Sequence, residues 1–297
     1  MSTIASALPR ARGVYTFRRL AWWTVGWLLL IVATGATVRL TGSGLGCEHW
    51  PGCAPGAFIP KKGYHSDVEF SNRVVAALTV LTTFVYALVA VCTRTLSARV
   101  KVLACLVFCG TLAQAPLGAI TVHYHLNPHL VIAHLLLSLV VLGLGVVVAV
   151  DADGTPLPVR ARQAGALLLV AVTFLVVTGT LSTAAGKFPG SNGDMRVHRL
   201  GSFQPAVALH VKAVAAFGVC FLLLAVWAWR NRARYAWLVR GCVGLLAILA
   251  LQMAIGETQF RLYDRIPWWI VLAHVTVAAG LFAWTVGLVA RLWRPSS

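Results

Sequence analysis

The stretch His129-Leu-Val-Ile-Ala-His-Leu-Leu-Leu-Ser-Leu-Val-Val-Leu-Gly-Leu-Gly-Val-Val-Val-Ala-Val150 decides the fold. A membrane-crossing helix needs about 20 apolar residues, and this stretch supplies them without one Asp, Glu, Lys or Arg. In lipid it has to be helical, because every backbone N–H and C=O must find a partner inside the segment. Working outward, seven more such runs fall near 19–40, 68–92, 100–122, 162–183, 205–229, 236–256 and 267–290. The composition agrees: 59% of the 297 residues are hydrophobic and 11% charged, against about half and a quarter in a soluble domain. That excludes a disordered chain, a nucleic-acid-binding domain and a water-soluble enzyme. The expected fold is all-α and integral to a membrane, with eight transmembrane helices. No small-residue cleavage site follows the first run, so it reads as a retained helix and not a signal peptide.

The formal charge of +17, from 25 Lys and Arg against 8 Asp and Glu, sorts by side. With eight spans both termini share one face. Arg10, Arg12, Arg18, Arg19, Arg94, Arg99, Arg160, Arg230, Arg240 and Arg291 flank that face, whereas Lys61, Lys62, Lys187, Arg196, Arg199, Arg261 and Arg265 make up the smaller set opposite. Basic loops stay inside, so both termini are expected in the cytoplasm. The charge reads as orientation and not as affinity for nucleic acid. Loops 43–66 and 184–204 then face outward, where disulfides persist. Cys47 and Cys53 lie in the first of them; a bond between them would close a tight loop, and two free thiols are the alternative. The other cysteines lie in or beside apolar runs, where a free Cys is usually a small core residue.

The two halves echo each other. Gln114-Ala-Pro-Leu-Gly118 parallels Gln252-Met-Ala-Ile-Gly256, Val131-Ile-Ala-His134 parallels Val271-Leu-Ala-His274, Thr34-Gly35 parallels Thr178-Gly179, and Asn72 stands where His210 stands in the second half. Four spans separate equivalents, so the repeat is parallel and not inverted. The expected architecture is two tandem pseudo-symmetric four-helix bundles: a basic tail 1–18, a bundle 19–150, a cytoplasmic linker 151–161, a bundle 162–290 and a tail 291–297.

Ionisable groups inside spans are costly and point to function. His134, His210 and His274 each lie a turn or two inside the outer end of an even-numbered run, with Glu69, Asn72 and Arg73 at that level of the second. A single such His is often a hydrogen-bonded packing residue, but three at equivalent depth are harder to dismiss. His210 and His274, from facing helices, can ligate a haem iron axially, with Lys212 or Arg199 available to a propionate. Zinc fits less well, since it wants four close ligands. In the first bundle His134 faces Asn72, a poor ligand to haem iron. A haem held by His134 alone is five-coordinate and open on one face, unless the pocket is degenerate and holds no iron. Glu69 shares a helix face with Asn72 and could stabilise a developing cation or move protons. His123, His125 and His129 form a loop cluster that reads either as a metal site or as a solvated loop.

These residues also carry a resemblance. Val38-Arg-Leu-Thr-Gly-Ser-Gly-Leu-Gly-Cys-Glu-His-Trp-Pro-Gly-Cys53 resembles the first outer loop of the heme A synthase family, roughly R-L-T-G-S-G-L-x-C-x-x-W-P-x-C. Glu69-Phe-Ser-Asn-Arg73 is similar to its E-x-x-H-R, with Asn72 in place of the His. Leu126-Asn-Pro-His-Leu-Val-Ile-Ala-His134, and Gly256-Glu-Thr-Gln-Phe260 with Ala273-His274, resemble its later outer segments. The resemblance implies a membrane haem-dependent oxidoreductase that converts haem O to haem A, for cytochrome c oxidase, by oxidising a ring methyl to a formyl group. It implies haem B on His210 and His274, and a substrate haem with its iron at His134 and with Glu69 and Asn72 beside it. Some members carry a second cysteine pair in the third outer loop; 184–204 has no Cys.

The partners implied are haem O, the haem O synthase that supplies it, an electron donor that no motif identifies, and the lipid of a bacterial cell membrane. A homo-oligomer is compatible with the chain. The alternative function is a catalytically altered member acting in haem-binding electron transfer or haem handling, which Asn72 favours. A repeat-built transporter is disfavoured, because the His residues group at one face and no charge sits at the midplane.

Overall fold

The computed structural model describes residues 2–47, 49, 52–54, 56–60, 63–150, 156–191 and 197–293, with backbone alone for 2–13. The expected linker is therefore described only from 156 and the C-terminal tail only to 293. Lys61, Lys62, Arg196 and Arg294 lie outside the described residues.

Eight long helices account for nearly all of it: α1 Ser2–Leu40, α2 Tyr64–Cys92, α3 Ala98–His123, α4 Pro128–Val150, α5 Val159–Ala185, α6 Phe203–Arg230, α7 Ala236–Arg261 and α8 Trp268–Ala290. Each contains a segment long and apolar enough to cross a membrane, in α1 the part Val14–Leu40. The chain is thus a multi-pass, all-helical membrane protein. Several helices outrun the apolar runs that reveal them. The backbone of the basic tail continues α1 from Ser2, α2 starts four residues before its run, and α7 continues to Arg261. Lipid dictates only the middle of a helix; its ends can continue into water wherever no residue breaks them.

In one group of four, α1 packs on α2 and α4, α2 on α3, and α3 on α4. In the other, α5 packs on α6 and α8, α6 on α7, and α7 on α8. Diagonal partners are therefore α2 with α4 and α6 with α8. The groups meet where α8 lies against α1 and α4, and α4 against α5. Leu142, Val146, Ala149, Phe282 and Val286 are buried there. Outward, Leu81, Val170, Val219 and Leu246 are exposed, a surface matched to lipid and unsuited to water.

Apolar side chains gain little by leaving lipid for each other, so packing in a membrane relies on small residues that let backbones approach. Gly287 of α8 is such a point: a Cβ there would come within 3.1 Å of Val146 Cγ1. Gly143 of α4 lies similarly against the Phe282 ring. Gly280, on the same helix, has nothing within 4 Å. Gly287→Leu is therefore expected to force α4 and α8 apart and lower stability by about 1–3 kcal/mol, read as a drop in Tm in detergent, while Gly280→Leu leaves Tm nearly unchanged.

Candidate functional site

A cavity of about 600 Å³ opens inside the first group, near the ends remote from the termini. Its walls come mainly from α1 to α4, with Thr183 of α5, Pro189, Gly190 and Val275 of α8 added, and its polar lining includes Arg39, Glu69, Asn72, Arg73, Gln114 and His134. The rest is largely aliphatic, from Leu28, Ile31 and Val32 to Leu78 and Val141. The size falls among cofactor-sized sites. Glu69 and Asn72 lie within about the first two and a half turns of α2, and His134 lies at a similar depth in diagonal α4.

Three histidines are seated alike. A Cβ on Gly118 of α3 would touch His134 Cε1 at 3.5 Å, one on Gly179 of α5 would touch His210 Cε1 at 3.2 Å, and one on Gly256 of α7 would touch His274 Cε1 at 3.2 Å. In each case a glycine on the neighbouring helix makes room for the imidazole. The backbone of the helix carrying the His is gripped alike too. Gln114 Nε2 donates to the His134 carbonyl at 3.1 Å, and Gln252 Nε2 donates to the His274 carbonyl at 3.0 Å. The motifs that echo in sequence, Q-x-x-x-G with a later His, are therefore contacts in space. Thr178 Oγ1 lies 3.1 Å from His210 Nδ1 and 2.9 Å from the Leu175 carbonyl. Donating its hydroxyl proton to that carbonyl leaves it to accept from Nδ1–H. That fixes the tautomer with the Nε2 lone pair free, as metal-ligating histidines are usually oriented.

His134 and His274 have no such support. Their side chains make no hydrogen bond among the described residues, and Nδ1 of each is sealed from solvent without a partner. Gln114 Oε1 and Gln252 Oε1, beside them, are equally bare. An unpaired polar group in an apolar interior costs on the order of 1–3 kcal/mol. Hydrogen-bonded packing does not account for these two rings. His210 and His274 stand on the diagonal helices α6 and α8.

The first loop folds onto the cavity. Cys47 and Cys53 form a disulfide, the first of the two states open from sequence. Glu69, 4% exposed, takes the Cys47 N–H on Oε2 at 2.8 Å and the Arg73 guanidinium on Oε1 at 2.5 Å. Arg73 also donates to the carbonyls of His49 at 2.7 Å and Gly52 at 2.5 Å. One carboxylate thus fastens the disulfide loop to the helix, as well as lining the cavity. Gly42 turns the chain at φ 71°, and Gly44 N–H donates to the Gly190 carbonyl at 2.8 Å, an approach that a Cβ at 2.9 Å from that oxygen would obstruct.

Arg39 has a role that sequence reading did not assign. Its Nε and Nη2 donate to the carbonyls of Phe188 at 3.1 Å and Thr183 at 3.0 Å, clamping the end of α1 to the end of α5. Thr34, known in sequence only as a repeat marker, donates from Oγ1 to Asn72 Oδ1 at 2.8 Å. Lys212 is exposed. It lies two residues past His210, about 200° around the helix, so the structure does not bring it to the face of His210. Arg199 points to the Lys187 carbonyl at 3.5 Å. His125 and His129 meet His198 and Arg199 around an outer hollow of about 500 Å³, apart from His123. Among the described residues no three ligand-type side chains converge to hold a metal ion.

Breaking the Glu69–Arg73 pair should leave a buried carboxylate with fewer donors. Arg73→Met is expected to cost on the order of 2 kcal/mol, and the double variant Glu69→Gln/Arg73→Met less than the sum of the singles, both measured as Tm shifts with the disulfide intact.

A family profile described as cytochrome oxidase assembly protein, COX15-CtaA, matches residues 18–67 and 63–286. A heme A synthase of Listeria monocytogenes is 25% identical over 279 residues, 88% of this chain and 90% of that protein. A heme A synthase of Bacillus pumilus is 34% identical over 117 residues, 38% of this chain and 37% of that protein's length. A protoheme IX farnesyltransferase of Thermus thermophilus is 42% identical over 73 residues, 23% of this chain and 12% of that protein. With a profile match running through both four-helix groups, the chain belongs to the COX15-CtaA family of cytochrome oxidase assembly proteins, the family of the heme A synthases.

Proposed function

We propose that this membrane protein is a heme A synthase, oxidising a ring methyl of haem O to a formyl group to make haem A. The observation that carries the reading is the pair of buried imidazoles, His134 and His274, with no hydrogen-bonding partner among the described residues. Each is set against a glycine in an apolar four-helix group, and imidazole is a preferred ligand of iron.

The second group suits a resident haem B. His210, with its tautomer fixed by Thr178, and His274, with Nδ1 unpaired, stand on diagonal helices and would hold the iron. When bound, such a haem supplies one-electron transfer. Gly179 and Gly256 keep the two rings in place. Lys212, exposed two residues past His210, is available to a propionate at the haem edge.

The first cavity takes the substrate haem O, its iron at His134 and its apolar periphery against the aliphatic walls. Glu69, anchored by Arg73 and the Cys47 N–H, holds negative charge at the cavity wall. It stabilises a developing cation or accepts a proton there, and Asn72 lies one turn along the same face. The recurrence of the Gln, Gly and His contacts supports reading 19–150 and 162–290 as tandem pseudo-symmetric bundles, one for substrate and one for cofactor. The bias of Lys and Arg supports cytoplasmic termini in a bacterial cell membrane. The haem O synthase is the natural supplier of substrate, and the similarity to a protoheme IX farnesyltransferase supports that link. A separate electron donor completes the reaction.

Asn72 favours a second reading, a haem-binding electron-transfer or haem-handling protein. Two measurements decide. The purified protein should show a low-spin, bis-histidine haem spectrum that His274→Ala abolishes; protein isolated free of haem from haem-replete cells would overturn the reading. Extraction and chromatography after co-expression with a haem O source should yield haem A, whereas an intact haem spectrum without haem A would favour the second reading.

A further inference from the structure

The two four-helix groups share their imidazole seats but for one. In the second group Thr178 bonds His210, whose ring lies 3.2 Å from where a Gly179 Cβ would be. In the first, Thr34 Oγ1 donates to Asn72 Oδ1 at 2.8 Å, its contact with the Ile31 carbonyl being longer at 3.3 Å, whereas Thr178 accepts from His210; and Gly35 has nothing within 4 Å. Gly35 and Asn72 both line the 600 Å³ cavity that His134 lines from diagonal α4. The seat that an imidazole fills beside Gly179 is thus open beside Gly35, and it communicates with the cavity. The Thr34 hydroxyl occupies Asn72 Oδ1, the only atom by which a carboxamide could ligate a metal. The Nδ2 amide has no protein partner among the described residues.

We propose that a haem in the first cavity has His134 as its single protein ligand, and that Asn72 Nδ2 donates a hydrogen bond to a small exogenous ligand at the open sixth position. The inference rests on the reading of this cavity as a haem pocket with its iron at His134, and adds the task of Asn72. Thr34 is a positioning residue: by holding Oδ1 it turns Nδ2 toward the open face. Gly35 provides the space for a diatomic ligand.

The test uses the full-length protein in detergent, protohaem reduced with dithionite as the haem and carbon monoxide as the ligand. A bis-histidine haem in the second group does not take up carbon monoxide, so uptake reports the first cavity. Titration should load two haems per chain, the second high-spin and binding one carbon monoxide, and His134→Ala should lose that haem alone. Asn72→His should make it six-coordinate and low-spin and suppress carbon monoxide uptake. Asn72→Leu should keep uptake but raise the C–O stretching frequency and weaken binding about three- to tenfold, as befits loss of one hydrogen bond. Thr34→Val should shift the same frequency in the same direction. Two haems with both low-spin and inert to carbon monoxide would overturn the open coordination while leaving the haem-pocket reading intact. Carbon monoxide bound at a frequency that Asn72→Leu does not move would overturn the task of Asn72. Saturation at one bis-histidine haem would overturn the haem-pocket reading and this inference with it.

Discussion

In the hydrocarbon of a bilayer no polar group can fall back on water, so each must find its partner within the chain. That constraint makes the eight segments helices, and it governs the side chains as strictly. Thr24, Thr79, Thr111 and Thr285 return their hydroxyl protons to the carbonyl four residues earlier. Arg39 spends its donors on carbonyls at the end of α5, where a helix has acceptors to spare. Glu69 is buried with a guanidinium and a backbone N–H on its two oxygens. The Tyr86 hydroxyl is buried without a partner among the described residues, and so, in matching pairs, are Nδ1 of His134 and His274 and the amide oxygens of Gln114 and Gln252. Unsatisfied groups persist where something other than stability selects them, and here they recur at matching places in both groups.

The recurrence gives the site its logic. One arrangement of a glutamine gripping a histidine's backbone, with a glycine backing its ring, serves twice, in α3 with α4 and in α7 with α8. A threonine orienting a residue on the next helix also serves twice, but its partner is His210 in one group and Asn72 in the other. Similar scaffolds that differ in one ligating side chain can divide a haem protein's labour. Paired imidazoles favour electron transfer, and an open position favours reaction at the iron. In the first group α2 adds a buried carboxylate at the cavity wall, Glu69, held by a disulfide-closed turn.

Much of this was legible in the sequence. Hydropathy located all eight spans, because lipid imposes a long apolar signature that little else produces. The depth of His134, His210 and His274 followed from the spans, and the Cys47–Cys53 disulfide was one of two readings the outer loop allowed. Helix ends were less legible: α1 and α7 continue well beyond their apolar stretches, because water-exposed turns carry no hydropathic mark.

By itself, then, the sequence determined the class of fold, the number of crossings and which ionisable groups lie at one depth, since these follow from the apolarity and order of residues along each helix. Only the tertiary structure decided which groups meet. That Arg39 clamps α1 to α5, that Thr34 holds Asn72, that three glycines seat three imidazoles and that Gly35 seats none all depend on how helices far apart in sequence rotate and pack against each other. That rotation is set by many small contacts between side chains in lipid, and no single one of them is written in the chain as a motif.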